Sequence, residues 1–207
     1  MPGQGRIGSL VAGWATDAAA AEDPDAGLVA AARRDPARFA ALYRRYVDRV
    51  FRYCHRRLGD REAAEDATSL TFVRAFEALP RYRDGSFRAW LFTIAHHTIA
   101  NDLRGASRRA DRPLDAALKV VDPAPGPEEA AVAADARTTI RALLARLPED
   151  ERRLLELRLA GLSGPEIARV LGRSHGAVKV AQFRAIARLR AAIEEGDAPG
   201  RRRDAPD

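Results

Sequence analysis

Few features of this sequence could cross-link the chain or hold it in a membrane. A single cysteine, Cys54, among 207 residues excludes an internal disulfide. Its place in an apolar helical stripe predicts a core residue of a protein from a reducing compartment. No run of about 18 apolar residues is present, so no membrane span is expected. The N-terminus also lacks the basic start and apolar stretch of a signal peptide. These absences predict a cytoplasmic protein.

Signatures of catalysis and of cofactor binding are missing as well. The sequence contains no glycine-rich phosphate loop, no nucleophile motif and no paired-acid signature. The neighbouring His96 and His97 diverge by about 100° on a helix. No cysteine or carboxylate stands at the spacing that a shared metal ion needs. We therefore expect no enzyme activity, no metal and no cofactor.

Lysine is scarce, whereas arginine is abundant. Of the 35 basic residues only Lys119 and Lys179 are lysines, and the net charge is +6 with a pI near 10.2. A basic chain favours a polyanionic partner, and arginine suits bidentate contacts with phosphate. A GC-rich genome also enriches arginine, so composition supports a nucleic-acid partner only weakly.

Strand patterns and internal repeats are absent too. Apolar residues recur at helical spacing in two blocks, 25–109 and 128–195. Residues 110–127 between them are rich in proline and predict a flexible linker. Residues 1–24 predict a disordered arm, and residues 196–207 a tail. We predict an all-α protein of two small helical domains, the second of which ends in a helix-turn-helix.

The most informative motif is the helix-turn-helix pattern at 162–190. Ala168 allows two helices to cross closely, Gly172 permits the turn between them, and Val178 faces back from the second helix. That second helix is basic and carries no acid from 174 to 193, which favours DNA. The alternative is a helical hairpin whose basic side is merely solvated. Ser174 suits a cap and a phosphate contact, the next turns suit base edges, and the later arginines suit phosphates. The residues expected to contact DNA are Arg173, Ser174, His175, Gly176, Lys179, Arg184 and Arg188.

The first block divides into three main helices. An apolar stripe with an arginine-rich polar side runs to Leu58, where Gly59 and Asp60 end one helix and cap the next. The second helix, at about 61–79, has an acidic polar face and an apolar stripe that includes Phe72 and Phe76. A basic, aromatic loop at 81–87 leads to the third helix, at about 87–104.

Two long stretches resemble a known family. Region 2 of sigma-70-type sigma factors is similar to residues 39–104, FAALYRRYVDRVFRYCHRRLGDREAAEDATSLTFVRAFEALPRYRDGSFRAWLFTIAHHTIANDLR. Region 4 is similar to residues 144–190, LARLPEDERRLLELRLAGLSGPEIARVLGRSHGAVKVAQFRAIARLR. Together they cover about 110 of the 207 residues. Two such regions with a short linker and little else resemble the extracytoplasmic-function (ECF) subgroup.

The resemblance implies partners and roles. Region 2 of this family grips the clamp helices of the polymerase β′ subunit and opens the −10 box, and region 4 reads the −35 element and docks on the β flap. An anti-sigma factor is a further implied partner. The implied polymerase-binding residues are Glu65, Asp66, Ser69 and Phe72. The implied −10 contacts are Arg83, Asp84, Ser86, His96, His97, Asn101 and Arg104. Phe87 and Trp90 are favoured as core residues over base contacts.

Two other functions compete with this interpretation. A free-standing repressor or activator would use the helix-turn-helix without polymerase and would read a palindrome as a dimer. An adaptor would bind neither DNA nor polymerase, and its basic and acidic faces would only be solvated. The loop at 81–87 argues against the repressor, because such a protein has no use for a segment that captures unpaired bases.

Overall fold

A computed structural model describes residues 23–83, 85–109 and 142–196 of this chain. The proposed arm, linker and tail lie almost wholly outside these residues. Within the described ranges all regular structure is helical, as the sequence predicted. The main helices are α1 (Ala26–Arg34), α2 (Phe39–Leu58), α3 (Arg61–Ala78), α4 (Phe87–Arg109), α5 (Glu149–Leu159), α6 (Gly164–Leu171) and α7 (His175–Gly196). Short 3-10 turns lie at Pro36–Arg38 and Leu79–Arg81, and a further helical stretch lies at 142–145.

The helix ends are set by local signals. Gly59 ends α2 in the left-handed conformation, with φ of 76°, and the Asp60 side chain accepts a 2.8 Å hydrogen bond from the Ala63 N–H at the start of α3. These two residues act as the sequence predicted. At the start of α4 the Ala89 N–H donates to Ser86 Oγ over 3.1 Å. The helix α4 continues to Arg109 rather than ending near 104.

The core of the first block lies between α2, α3 and α4. Tyr53, Cys54, Phe87 and Leu91 have no exposed surface. Burial raises the pKa of the Cys54 thiol to about 11, which keeps it protonated and inert near neutral pH. The expectation that Cys54 is a core residue is confirmed. Phe87 is also confirmed as core, whereas Trp90 is half-buried beside it.

The short helix α1 is joined to α2 by a buried polar contact. Asp25 is fully buried, accepts a hydrogen bond from the Tyr46 hydroxyl and pairs with Arg45 Nε at 2.8 Å. Burial and the neighbouring carboxylate raise the pKa of Tyr46 above its ordinary value. The Tyr46 hydroxyl and the Arg45 charge both engage the buried carboxylate, so this contact ties the start of α1 to α2.

The second block forms the expected helix-turn-helix. Helix α6 begins with a capping box in which the Glu166 carboxylate accepts from the Ser163 N–H at 2.7 Å and from its hydroxyl at 2.9 Å. It ends at Gly172, whose φ is 62°. The Val178 side chain of α7 is fully buried against the α6 side, as predicted. None of the helices in the described part of the chain is long and apolar enough to cross a bilayer.

The turn at Gly172 allows a stability test. A Cβ at Gly172 or at Gly176 would meet no atom within 4 Å, but only Gly172 has a positive φ. We expect Gly172→Ala to lower the free energy of unfolding by about 1 kcal/mol, because L residues are strained in the left-handed region. Gly176→Ala should instead raise it by about 0.5–1 kcal/mol, because alanine favours helix.

Urea unfolding followed by circular dichroism measures both changes. Shifts of the same sign for the two variants would contradict the assignment of the turn at Gly172.

Candidate nucleic-acid interface

The start of α7 presents its polar groups outward. The Ala177 N–H donates to Ser174 Oγ over 3.2 Å, so Ser174 caps the helix as predicted. Gly176 and Lys179 are exposed on the first turns, and His175 is half-buried beside them. Val178 points the other way, into the core. The expected DNA-contacting residues at the helix start therefore share one accessible surface.

The basic residues of this surface differ in their partners. Arg173 lies 3.6 Å from Asp150, and Arg188 lies 3.2 Å from Glu151, so both are engaged within the second block. Lys179 and Arg184 are exposed and have no ion pair within the described ranges. Because their charges are not already compensated, these two are the better placed to meet phosphate or base edges.

Two apolar residues on α7 were missed by the sequence analysis. Phe183 is 76% exposed and Val180 is 51% exposed, next to the basic residues of the same helix. Their positions do not share the phase of Val178 and Ala185, which are buried. That difference in phase is a signal in the sequence that predicts apolar residues outside the core.

The proposed −10 residues are divided between α4 and the preceding loop. Arg83, His97 and Asn101 are exposed. Ser86 is half-buried, and its hydroxyl donates to the Glu166 carboxylate on α6. Asp84 and the side chain of Arg104 lie outside the described part of the structure. The proposed set is thus only partly on one open surface.

His96 has a different environment from His97. Its Nδ1 lies 3.0 Å from the Tyr53 hydroxyl. Burial lowers the pKa of His96 to about 4, and the charges of Arg153 and Arg57 add to this effect. His96 is therefore neutral near pH 7. Among the described residues, no group of three metal-ligating side chains stands close enough to hold an ion.

The acidic face of α3 is open, with one exception among its proposed residues. Glu65, Asp66 and Ser69 are exposed, and Glu65 pairs with Arg61 at 2.8 Å. Phe72 is only 4% exposed and packs edge-on against the Tyr43 ring with centroids 4.7 Å apart. A direct partner contact by Phe72 stays a prediction that this structure does not favour, because α3 turns that side chain into the core.

An exposed apolar strip lies beside the acidic face and was not identified from the sequence. Tyr43, Leu70, Val73 and Phe76 are 43%, 38%, 52% and 45% exposed. Three of them follow one another at helical spacing on α3, so they share a face. The apolar stripe predicted on α3 joins Phe76 to Phe72, but Phe76 lies at its margin, where the ring packs on Phe39 with centroids 5.2 Å apart and is still 45% exposed. The four residues form what is called here the α3 strip.

The two blocks contact each other through arginine–carboxylate pairs. Arg57 of α2, whose side chain is 4% exposed, lies 2.8 Å from Glu149 and 3.3 Å from Glu156 of α5. Arg88 of α4 donates to both oxygens of Glu166 on α6, at 3.0 and 2.7 Å. These five residues are called here the clasp.

The pKa shifts of the acids in the clasp follow from this geometry. Burial by itself would raise the pKa of Glu149, but hydrogen bonds from Arg57 and Arg153 outweigh it and lower the pKa to about 2. Burial likewise opposes, but does not cancel, the lowering of the Glu166 pKa by Arg88 and Ser86. For Glu156, burial outweighs the attraction of Arg57, so its pKa is raised.

The clasp places α6 against the face of α4 that carries the proposed −10 residues. A cleft of about 690 Å³ lies between them, lined by Thr93, His96 and His97 on one side and by Arg153 and 169–172 on the other. Ser86 and His96 thus face the second block, whereas the DNA-contacting surface of α7 is exposed. One of the two proposed DNA surfaces is open in this structure, and the other is partly covered.

Comparison with known proteins identifies the two blocks. Residues 42–109 match the family model for sigma-70 region 2, and residues 137–189 match that for sigma-70 region 4. The chain is 43% identical over 157 residues to the ECF RNA polymerase sigma factor ShbA of Streptomyces griseus, covering 70% of this chain and 82% of that protein. It is a member of the ECF subgroup of the sigma-70 family.

Other relatives agree with this membership. The ECF sigma factor SigD of Mycobacterium tuberculosis is 39% identical over 148 residues, which cover 68% of this chain and 70% of that protein. The solved structure of CnrH, in complex with the cytosolic domain of CnrY, is 27% identical with a TM-score of 0.62, and the match covers 84% of this chain and 99% of that one. The present chain, as a member of the ECF subgroup, directs transcription initiation, with core RNA polymerase and promoter DNA as its partners.

The clasp predicts how the two blocks of this sigma factor separate. We expect Glu166→Lys to place two like charges together with Arg88 and to shift the population towards separated blocks by about tenfold, which corresponds to about 1.4 kcal/mol. Spin labels on exposed positions of α3 and α7 report this as a longer distance by pulsed electron resonance.

The swapped pair, Arg88→Glu with Glu166→Lys, should restore the shorter distance. Asp150→Lys is the control, because Asp150 contacts only Arg173 of its own block. An unchanged distance in Glu166→Lys would show that the Arg88–Glu166 pair does not hold the blocks together.

Proposed function

We propose that this sigma factor divides its work between residues 25–109 and residues 128–195, which the segment 110–127 tethers. The first domain binds core polymerase and the −10 element, and the second reads the −35 element. A tether converts the second contact into an intramolecular event, which raises the overall affinity without new contacts. The single observation that supports this most is the open surface of α7, which carries no acid from 175 to 193, beside a family-matched region 2.

The −35 contacts are proposed on the first half of α7. Gly176, His175 and Lys179 enter the major groove, where side chains distinguish base pairs. Ser174 and Arg184 contact phosphates and set the register. Val180 and Phe183 suit the methyl groups of thymine, because they are apolar and exposed at the same surface. Arg173 and Arg188 leave their carboxylate partners, Asp150 and Glu151, and contact phosphates instead.

The −10 contacts are proposed on the loop at 81–87 and on α4. Melting of promoter DNA without hydrolysis of a nucleoside triphosphate requires the protein to bind the open strand better than the duplex. Stacking and a basic groove contribute about 1–3 kcal/mol for each base, and removing a base from the duplex costs a few kcal/mol. One or two base pockets around Ser86, His97 and Asn101 therefore suffice once α6 has moved away from α4.

Polymerase binding is proposed on α3. The carboxylates of Glu65 and Asp66 lie beside the α3 strip, and such a mixed face suits a basic, amphipathic partner helix such as the β′ clamp. Ser69 lies on the same face. Phe72 supports this face from below by packing against Phe39 and Tyr43.

Regulation is proposed to act on both domains together. CnrH was solved with the cytosolic domain of CnrY, and an anti-sigma factor of this chain would bind across its two domains.

The protein works in the cytoplasm, where polymerase and promoter meet, and contributes no catalytic group of its own. Run-off transcription with purified core polymerase tests the whole proposal, which requires initiation at a specific start site.

Variants of α7 test the −35 assignment. We expect Lys179→Ala to cost about 1–3 kcal/mol at one promoter position and to relax specificity there. Arg184→Ala should weaken binding across sequences and reduce the salt slope by about one. Initiation rates on a set of −35 variants over a salt series measure both effects.

Arg146→Ala is the matched control, because Arg146 is exposed and donates only to the Ala192 carbonyl. Full initiation by Lys179→Ala on every −35 variant would refute the placement of α7 in the groove.

Variants of α3 test the polymerase surface. We expect Asp66→Ala and Val73→Ala to lower co-purification with core polymerase several-fold without a change in thermal unfolding, because both side chains are exposed. Phe72→Ala should instead lower the free energy of unfolding by about 3–5 kcal/mol, because it empties a core position.

Asp48→Ala on α2 is the control, since Asp48 is exposed and lies outside the α3 strip. If Asp66→Ala and Val73→Ala bind core polymerase as well as Asp48→Ala does, the surface lies elsewhere.

A further inference from the structure

A second cavity lies on the other side of the clasp. It has a volume of about 300 Å³ and opens between α2, the start of α4 and the turn that joins α5 to α6. This volume is at the lower end for small-molecule sites. The lining residues are Arg49, Arg52, Arg56, Arg88, Leu159, Ala160 and Gly161. Four guanidinium groups therefore meet in one small space, and none of these arginines belongs to the proposed promoter or polymerase contacts.

Three of these arginines lack an acidic partner. Arg88 is paired with Glu166 at 2.7 Å. Arg52 Nε donates to the Asp48 carbonyl at 3.0 Å, and the Arg49 guanidinium lies 6.0 Å from the centre of the Tyr46 ring. No carboxylate of the described ranges forms an ion pair with Arg49, Arg52 or Arg56. The cavity thus concentrates three guanidinium groups that no ion pair of the described ranges neutralises.

Arg56 is the least satisfied of the four. Its Nε–H is buried and has no hydrogen-bond partner in the described part of the chain. Another nitrogen of the guanidinium donates a long hydrogen bond, of 3.4 Å, to the Glu156 carbonyl. Burial lowers the pKa of Arg56; the nearby Glu156 carboxylate opposes this in part, and the charge of Arg52 adds to the lowering. The Glu156 carboxylate offsets only part of the cost of this buried charge, because its ion pair is with Arg57, so the arrangement favours an anion that supplies the missing acceptors.

We propose that this cavity binds a compact anion with two or more linked phosphates, such as an inorganic oligophosphate or the phosphate chain of a nucleotide. A phosphate group carries about 1.5 to 2 negative charges near neutral pH, so two linked groups match three guanidiniums without an ion pair. Arginine forks also fit phosphate oxygens in pairs. A single phosphate would leave part of the charge uncompensated.

The shape of the cavity disfavours larger polyanions. Its walls come from both blocks, with Leu159–Gly161 facing the arginines of α2. A duplex is too wide for this space, and an acidic peptide would lose chain entropy to bring its separate carboxylates together. A short phosphate chain concentrates its charge without that loss.

A ligand held here would also act on the clasp. It would contact α2 and α4 on one side and the α5–α6 turn on the other, next to the Arg88–Glu166 pair. Such a ligand stabilises the arrangement with α6 against α4, because it binds that arrangement better than separated blocks. This inference rests on the cavity and does not depend on the promoter or polymerase assignments.

Calorimetric titration of the full-length protein tests the proposal at constant ionic strength. The probes are orthophosphate, pyrophosphate, tripolyphosphate and guanosine diphosphate, with citrate and a single-stranded oligonucleotide as comparisons. We expect pyrophosphate and tripolyphosphate to bind at least tenfold more tightly than orthophosphate and citrate. Tighter binding of guanosine diphosphate than of pyrophosphate would identify a nucleotide as the ligand, and equal binding would identify the phosphate chain alone.

Matched variants assign the site. Arg52→Gln should weaken pyrophosphate binding at least tenfold, whereas Arg44→Gln should not, because Arg44 lies on the same helix, donates to a carbonyl in the same way over 3.2 Å and does not line the cavity. Pyrophosphate should raise the unfolding temperature of Arg44→Gln but not that of Arg52→Gln. Arg56→Gln should fold and lose binding, because it removes a buried charge that no ion pair neutralises.

Three results would overturn the proposal. The first is equal loss of binding in Arg44→Gln and Arg52→Gln, which would indicate general attraction to a basic surface. The second is binding of citrate as tight as that of pyrophosphate. The third is binding of the oligonucleotide alone, with no response to any of the free phosphates.

Discussion

Two arginines of the first block, Arg57 and Arg88, attract three acids of the second block. This attraction determines how the two blocks of the sigma factor pack against each other. Removing these charges from water is costly, and the cost offsets much of their mutual attraction. Such pairs therefore specify one packing of the two blocks and add little to its stability. The position of α6 against α4, the cleft beside His96 and the arginine cavity all depend on that arrangement, since each has walls from both blocks.

This arrangement affects the two promoter elements differently. In the proposed function, −35 recognition requires no change in the clasp, because the α7 surface is open. The face of α4 that carries Ser86 and His96 is shared with the second block, so strand capture requires the blocks to separate. The free energy of separation then subtracts from promoter affinity. We therefore expect a ligand that favours the closed arrangement to weaken initiation.

The two sides of α3 show where helical periodicity is insufficient. Phe72 and Ala75 on one side are buried, Leu70 and Val73 on the other are exposed, and Phe76 at the margin of the buried side is 45% exposed. Both sides are apolar, so the sequence pattern does not say which one packs on α2 and α4. On α7, by contrast, Val178 is buried and Val180 is 51% exposed, and their difference in helical phase already separates them. Packing partners, and not hydrophobicity, separate the core residues from those available for binding.

Local signals in the sequence determined the helical class, the caps at Asp60 and Ser174, the turn at Gly172 and the order of the two regions, because each of these depends on residues within about four positions of one another. Only the tertiary structure decided that Glu166 caps α6 and also binds Arg88, that Arg57 meets Glu156, and that four arginines line one cavity. Arg88 and Glu166 are 78 positions apart, and Arg57 and Glu156 are 99 apart. No periodic pattern encodes contacts at such separations, because they depend on how whole helices pack.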